Sequence, residues 1–166
     1  MKVMLTALLI CSFNAQSLLV KAYSVEEVYK EIDSVEETVI DKNAEVTLIS
    51  TGKIHIDEKT GNKFKVGKWV DKIKAGPILS AYNYSKKGVQ EGIQIEYGID
   101  GKIKYKWEMV NGLKNGILTA YYPSSEKVML EAEYKDDELN GASIFYNIDG
   151  SIKERKMYKE GEQVEK

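Results

Sequence analysis

The sequence of 166 residues contains little of the chemistry on which most catalytic and metal sites depend. It has one histidine, His55, and one cysteine, Cys11. A nucleophile–histidine–acid device needs a base that titrates near neutral pH, and a zinc site generally needs several histidine or cysteine ligands. His55 alternates with Ile54 and Ile56, which favours a position on the solvent face of a strand. We therefore expect no catalytic histidine and no such metal site.

The common phosphate and calcium motifs are also missing. The chain has no G-x-x-x-x-G-K-(S/T) loop, no G-x-G-x-x-G loop and no D-x-D-x-D-G loop. Acidic residues are plentiful, so a hydrolase that uses an Asp/Glu pair stays open as an alternative, although no pair stands out. The interpretation we prefer is a protein without enzymatic activity, cofactor or metal.

Neither an excess of positive charge nor a long apolar run is present. The chain carries 24 basic and 26 acidic residues, without a cluster of lysine and arginine. Binding to nucleic acid or to anionic lipid depends on such clusters, so we expect neither partner. The apolar run near the N-terminus is interrupted by Asn14, Gln16 and Ser17, which makes it too short to span a membrane.

Residues 1–22 have the layout of a secretory signal peptide. A short basic start at Met1-Lys2 precedes an apolar segment, and Val20-Lys21-Ala22 offers small residues before Tyr23. The remaining alternatives are a buried N-terminal helix or strand, and lipid attachment at Cys11. We therefore predict an exported protein that is periplasmic, associated with the cell envelope or secreted.

The stretch from Gly92 to Val164 repeats one pattern three times. The copies are GIQIEYGIDGKIKYKWEMVNGLKN, GILTAYYPSSEKVMLEAEYKDDELN and GASIFYNIDGSIKERKMYKEGEQV, and they begin at Gly92, Gly116 and Gly141. A tandem repeat of this period decides the architecture of a chain.

Each copy predicts one β-hairpin. In the first copy apolar and polar residues alternate on both sides of Asp100-Gly101, and Asp-Gly between alternating runs is a strong hairpin signal. The third copy has the same turn at Asp149-Gly150, whereas the second has Pro123-Ser124-Ser125. A single hairpin is marginally stable in water, so neighbouring copies should pair edge to edge.

This pattern, Y-x-x-(D/N)-G-K-(L/I)-x…Y-K-x-G-x-x-x-G, resembles the MORN repeat in the variant form of small bacterial proteins. The chain departs from that pattern where Met109 replaces a tyrosine and Asp137 replaces a glycine. The resemblance implies an elongated, single-layer antiparallel β-meander. It also implies an alternative function, because similar bacterial proteins are labelled YwqK-like antitoxins that would neutralise a toxin. The repeat positions in question are Gly92, Tyr97, Gly101, Gly116, Tyr121, Tyr134, Gly141, Tyr146, Gly150 and Tyr158.

Residues 23–43 predict an amphipathic helix. Ser24 and Glu27 form a capping box, and Val25, Val28 and Ile32 recur at helical spacing. We expect this helix to cover the first edge of the sheet, with a helix that binds a partner as the alternative.

Residues 44–166 predict one domain of tandem hairpin repeats. The segment 67–91 is interpreted as a further repeat with strands at Trp69–Ile73 and Ile78–Tyr84. Gly52 is interpreted as a counterpart of the turn residue Gly101. The sheet should then begin near Val46 and contain about ten strands.

The tyrosines recur at two repeat positions. Tyr97, Tyr121 and Tyr146 share one position, together with Tyr82 or Tyr84, and Tyr134 and Tyr158 share the other. Stacked repeats should align both sets on one face of the sheet. These rings can form the core or a recognition surface, since tyrosine is enriched at interfaces.

The function we predict is recognition of a protein partner by an exported repeat scaffold. The residues expected to contact that partner are Tyr105, Trp107 and Tyr122. The sequence leaves the oligomeric state open.

Overall fold

The structure, a computed structural model, describes residues 29–41 and 46–164. These residues form one open antiparallel sheet of twelve strands, so the predicted mainly β class is confirmed. The predicted signal peptide, residues 1–22, lies outside the described residues. The strands are β1 (Tyr29–Asp41), β2 (Val46–Asp57), β3 (Lys63–Ile73), β4 (Ile78–Tyr84), β5 (Gly92–Tyr97), β6 (Ile103–Val110), β7 (Leu113–Lys114), β8 (Gly116–Tyr121), β9 (Val128–Lys135), β10 (Glu138–Tyr146), β11 (Ile152–Lys159) and β12 (Glu162–Val164).

The strands follow one another across the sheet in chain order. Only the two-residue strand β7 leaves the path, and it pairs with β6 at the start of the step to β8. Every neighbouring pair along the path is antiparallel. The predicted meander is therefore present.

The helix predicted for residues 23–43 is wrong over the part that the structure describes. Residues 29–41 form β1, which pairs with β2 from Tyr29 opposite Asp57 to Asp41 opposite Val46. Five of its thirteen residues are the β-branched types Val, Ile and Thr, which fit a pleated strand better than a helix. The predicted capping box lies in residues 23–28, outside the described residues.

Ion pairs to the neighbouring strands also hold β1 in the sheet. Glu31 lies 2.7 Å from Lys53 Nζ and 3.1 Å from His55 Nε2, and Glu36 lies 3.1 Å from Lys65 Nζ. These partners are about twenty to thirty residues away in the chain, so the spacing within residues 23–43 gave no sign of them. A strand therefore occupies the sheet edge where a helix was predicted.

Each repeat begins with a glycine that pairs with the last large residue of the return strand. The pairs are Gly67–Tyr84, Gly92–Met109, Gly116–Tyr134 and Gly141–Tyr158. The φ angles of these glycines are 63°, 73°, 88° and 128°, a region that L-residues with a Cβ rarely adopt. Residues 67–91 are thus a repeat, as predicted. Tyr84, however, belongs with Tyr134 and Tyr158 rather than with Tyr97.

The turn inside each repeat is the same despite different residues. The amide of Gly101 donates to the Gly98 carbonyl at 3.0 Å, and the amide of Gly150 donates to Asn147 at 2.9 Å. In the middle copy the amide of Ser125 donates to the Tyr122 carbonyl at 3.0 Å. The Pro-Ser-Ser segment therefore makes the predicted reversal.

Successive repeats are joined by tight turns at the opposite end of the sheet. Asn111-Gly112, Asp136-Asp137 and Glu160-Gly161 have positive φ at both residues, the requirement of a type I′ hairpin. Each of these turns also bonds to the preceding connection, as Gly112 does to the Gln90 carbonyl at 3.0 Å. Repeats are therefore linked through loops as well as through strands.

The interpretation of Gly52 as a turn glycine is wrong. Gly52 lies inside the continuous strand β2, and the indole of Trp69 on β3 lies directly over it. Trp69 Nε1 donates to the Lys53 carbonyl at 2.9 Å. Gly52 is needed here because a side chain would overlap the indole, so its role is steric rather than conformational.

The two faces of the sheet are named after neighbouring residues of β6. Because side chains alternate along a strand, registered pairs assign each residue to the Trp107 face or to the Lys106 face. The Trp107 face includes Trp69, Ser80, Gln94, Glu96, Tyr105, Trp107, Met109, Ala120, Leu130, Ala132, Tyr134, Ser143, Phe145, Lys156 and Tyr158. The Lys106 face includes Ala81, Ile93, Ile95, Lys106, Glu108, Ile117, Thr119, Glu131, Ala142, Ile144, Tyr146 and Arg155.

The core lies mainly on the Trp107 face. Trp69, Met109, Ala120 and Ala132 are buried there, whereas only Ala81 and Ala142 are buried among the named residues of the Lys106 face. Small residues alternate with large ones along this face, so tyrosine and tryptophan rings cover their neighbours without a second layer among the described residues.

The two sets of tyrosines lie on opposite faces, which corrects the prediction of a single face. Tyr134 pairs with Gly116, and Gly116 is an odd number of residues from Tyr121 along β8. Alternation therefore places Tyr121 on the Lys106 face and Tyr134 on the Trp107 face. Tyr97, Tyr121 and Tyr146 do share one structural position, because each ends its strand beside a register shift.

Candidate functional site

A lateral row of side chains crosses the Trp107 face at Tyr105. In register order the row contains Glu96, Tyr105, Ala120, Leu130 and Phe145, contributed by five successive strands. Ala120 is 1% exposed, whereas the large residues of the row are half-buried. The row is an accessible surface of aromatic and aliphatic groups with a carboxylate at each end, since Phe145 lies in register with Glu154 of β11.

Trp107 lies next to this row and opposite Gln94. The Gln94 side chain is fully buried, and its Oε1 accepts from the Asn83 amide at 3.0 Å while its Nε2 donates to the Gly92 carbonyl at 3.1 Å. Gln94 thereby bridges β4 and β5, which share only two registered pairs. The half-buried Trp107 ring is consequently supported by a rigid part of the sheet.

Tyr122 does not join Tyr105 and Trp107. It lies in the turn after β8, and its hydroxyl donates to the Tyr146 carbonyl at 2.7 Å. This bond connects the second repeat to the third. The structure therefore brings two of the three predicted contact residues together on β6 and gives the third a structural role.

A shallow depression of about 330 Å³ lies near the turns at the end of β8 and β10. Its lining residues are Lys127, Val128, Glu131, Tyr146, Asp149 and Gly150. The Tyr146 hydroxyl donates to Glu131 at 2.7 Å, and Asp149 accepts from the Ser151 amide at 2.9 Å.

The electrostatics of this depression differ from those of an acid pair in a glycosidase. Bonds from the Ser151 hydroxyl and amide lower the pKa of Asp149 below its ordinary value of 3.8, whereas a general acid needs a raised pKa. The bond to Glu131 raises the pKa of Tyr146 above 10.0, so its hydroxyl stays a proton donor at neutral pH. The depression offers polar contacts without a matched acid and base.

A patch of exposed aliphatic side chains on the Lys106 face was missed in the sequence. Ile93, Val110, Leu113 and Ile117 are 37–54% exposed and lie on adjacent strands β5 to β8. Val110 and Leu113 pair across the Asn111-Gly112 turn. The signal was present in the Asn-Gly dipeptide, since a type I′ turn places the residues that flank it side by side.

His55 is less exposed than predicted. Its side chain is 13% exposed, because β1 lies beside it and the Glu31 carboxylate bonds to its Nε2. Among the described residues, no group of three His, Cys, Asp or Glu side chains is arranged to hold a metal ion.

Over residues 29–41 and 46–164, no helix has the length and apolarity needed to cross a membrane. Comparison of the chain with protein-family models, curated proteins and solved structures gave no match.

Proposed function

We propose that this protein recognises a protein partner through the Trp107 face and performs no catalysis. The observation that carries the proposal is the row through Tyr105, in which large side chains from successive strands stay partly exposed beside Trp107. Tyrosine and tryptophan are enriched where proteins bind one another, because they bury a large area at little entropic cost.

The sheet architecture supports this proposal. Repeats that contact only their neighbours form a continuous surface, over which binding energy is spread. The buried Gln94 bonds hold β4 and β5 together beneath this surface. Binding to a preformed surface avoids the entropic cost of ordering it.

We further propose that the chain is a MORN-like repeat protein. The support is that the repeat positions have consistent structural roles. Gly92, Gly116 and Gly141 adopt positive φ opposite a large residue, and Gly101 and Gly150 adopt φ of 78° and 89° in equivalent turns. Because one scaffold serves many functions, this proposal concerns architecture and leaves the partner to experiment.

Export is part of the same proposal. Cleavage before Tyr23 should yield a protein recovered from the periplasm, the envelope or the medium. N-terminal sequencing of that material should begin at Tyr23. An intact Met1 on cytosolic protein would contradict export without affecting the proposed binding surface.

The binding proposal is tested with alanine substitutions on the two faces. A partner is first captured from envelope extract, identified and purified, and its affinity for the chain is measured by calorimetry. Tyr105→Ala and Trp107→Ala should each weaken binding by at least about tenfold, with the larger loss for Trp107→Ala. The matched control, Ile93→Ala with Ile117→Ala, removes apolar area from the Lys106 face and should leave affinity unchanged.

Two results would contradict the proposed surface. A loss of affinity confined to the Ile93 and Ile117 variants would place the interface on the Lys106 face. Hydrolysis of a sugar or peptide that depends on one acidic residue, with the aromatic variants unaffected, would make the protein an enzyme. Circular dichroism of each variant establishes that the sheet is retained.

A further inference from the structure

At each of the two outer edges of the sheet, backbone N–H and C=O groups face away from the sheet and pair with no described strand. At one edge, β1 pairs only with β2 among the described strands. At the other edge, β12 pairs with Met157–Lys159 of β11. The outer side of Ile152–Lys156, opposite the side that pairs with β10, has no described strand beside it. An unpaired strand edge is a template for a strand from another molecule.

The two edges carry opposite charge. β1 contains five acidic residues and one lysine. The open stretch Ile152–Lys156 contains three basic residues and only one acid, Glu154. Like charges directly opposite each other destabilise a strand pair, so β1 disfavours a second β1 and β11 disfavours a second β11. Pairing of β1 with β11 is the combination that these charges favour.

The opposite charges also lie on the same faces of the sheet. Registered pairs run without a break from Thr51 on β2 to Arg155 on β11, so both belong to the Lys106 face. Glu31 and Asp33 lie in register with His55 and Lys53 of β2, so by alternation they share that face with Arg155. On the Trp107 face, Glu36 shares its face with Lys156 and with the acid Glu154.

The strand directions permit this pairing. β1 is the first and β11 the tenth strand along the path, and direction reverses at every step. When a second copy continues the sheet in the same orientation, its β1 therefore runs antiparallel to β11. Both faces then continue from one copy into the next without a reversal.

The fold already contains a contact of this kind. Within one molecule the acidic strand β1 lies beside lysines of β2 and β3, with Glu31 2.7 Å from Lys53 and Glu36 3.1 Å from Lys65. These acids remain about half-exposed, at 46% and 51% of their side-chain surface. They can therefore also approach basic groups on a strand added at the outer edge.

We propose that a second copy of this chain adds its β1 to Ile152–Lys156 of β11, in a head-to-tail contact that extends the sheet. Such a contact joins two different surfaces, so it leaves a free β1 at one end and a free β11 at the other and can repeat. It uses the edges and not the Trp107 face, and is therefore independent of the proposed partner recognition.

The test follows self-association of the purified protein by sedimentation over a range of concentrations, at low and high salt. Lys153→Glu with Arg155→Glu makes the β11 edge acidic, and Asp33→Lys with Glu36→Lys leaves β1 with three acidic and three basic residues and therefore without net charge. Each double variant should associate at least about tenfold more weakly than the parent, because the attraction between an acidic β1 and a basic β11 is then lost. Added salt should weaken association of the parent.

Mixing distinguishes edge pairing from a general effect of charge. One double variant keeps the acidic β1 edge and the other keeps the basic β11 edge, so an equimolar mixture should associate through these two edges more strongly than either variant alone. The matched control, Lys104→Glu with Lys106→Glu, makes the same charge change on the central strand β6 and should associate like the parent.

Three results would overturn the proposal: a parent protein that stays monomeric at every concentration, a β6 control that associates as weakly as the edge variants, or a mixture that does not associate. Lys153 and Arg155 are exposed residues of β11, at the opposite end of the sheet from the pairing of β1 with β2. Their variant therefore decides the outcome even if the β1 variant does not fold. Circular dichroism identifies which variants retain the sheet.

Discussion

At the scale of single residues, the same repeat position has different chemistry in successive copies. Tyr121 and Tyr146 end their strands at equivalent places beside a register shift. Glu131 lies in register with Ile144, two residues before Tyr146, whereas Lys106 lies in register with Thr119, two residues before Tyr121. A carboxylate accepts a bond from a tyrosine hydroxyl and a lysine cannot. The two tyrosines should therefore differ in their contribution to stability.

Tyr146→Phe should lower the free energy of unfolding by about 0.5–1 kcal/mol, because it removes the 2.7 Å bond to Glu131 at a partly solvated position. Tyr121→Phe is the matched control and should stay within about 0.5 kcal/mol of the parent. Urea titration measures both. Equal losses for the two variants would show that the Glu131 bond is not the cause.

The pKa of Tyr146 gives an independent measure of the same bond. Because Glu131 raises that pKa, the bond stabilises the folded protein below the ordinary tyrosine pKa of 10.0, and this contribution is lost as pH rises through the folded value. Glu131→Gln should lower the Tyr146 pKa towards its ordinary value, as followed by the ultraviolet absorption of tyrosinate.

At the scale of elements, hairpins with two kinds of turn build the sheet. The turns within repeats have a glycine at Gly101 and Gly150, whereas the turns between repeats need two residues with positive φ. Asn-Gly and Glu-Gly fill two of the latter, and Asp136-Asp137 fills the third. Asp137 has φ of 70°, and its carboxylate accepts from the Lys114 amide at 2.7 Å. That bond offsets the strain of a conformation that suits glycine.

Substitution of Asp137 separates strain from hydrogen bonding. Asp137→Ala keeps the strain and removes the bond to Lys114, so it should destabilise the protein by about 1–2 kcal/mol. Asp137→Gly removes both, and should change the free energy of unfolding by less than about 1 kcal/mol. Thermal and urea unfolding check the order. Because both variants lack the carboxylate, equal or greater damage from glycine than from alanine would contradict backbone strain at this position.

At the scale of the whole molecule, backbone pairing among the described strands joins neighbouring strands along the chain. Each strand inside the path pairs with the strand before it and the strand after it, and no described strand joins the two ends of the sheet. Stability of such an array is approximately a sum over units and their interfaces. The ends should consequently open more readily than the middle.

Hydrogen exchange should therefore show a gradient across the sheet. Amides of β5 to β10 should exchange slowest, and amides of β12 and of the outer edge of β1 should exchange fastest. Mass spectrometry of exchanged peptides measures this at a concentration where the protein is monomeric. Uniform protection from β1 to β12 would contradict neighbour-limited cooperativity. Protection of Ile152–Lys156 that increases with protein concentration would agree with the head-to-tail contact.

Local pattern was sufficient to predict the mainly β class, the repeat boundaries at Gly67, Gly92, Gly116 and Gly141, and the reversals within repeats. These features depend on alternation and on turn chemistry over a few residues, and both are visible in a linear sequence. The same short range explains why Tyr105 and Trp107 were recognised as neighbours on one face, since they lie two residues apart on one strand.

Tertiary structure decided the features that depend on distant partners. Residues 29–41 became a strand because the edge of β2 offered backbone bonds, and because Lys53 of β2 and Lys65 of β3 offered cations to its acids. Gly52 became a steric contact because Trp69 of the next strand lies over it. The two sets of tyrosines separated onto opposite faces because strand register sets which residues align, and a change of one residue moves a side chain to the other face. Register is a property of paired strands, and so the sequence of either strand alone does not contain it.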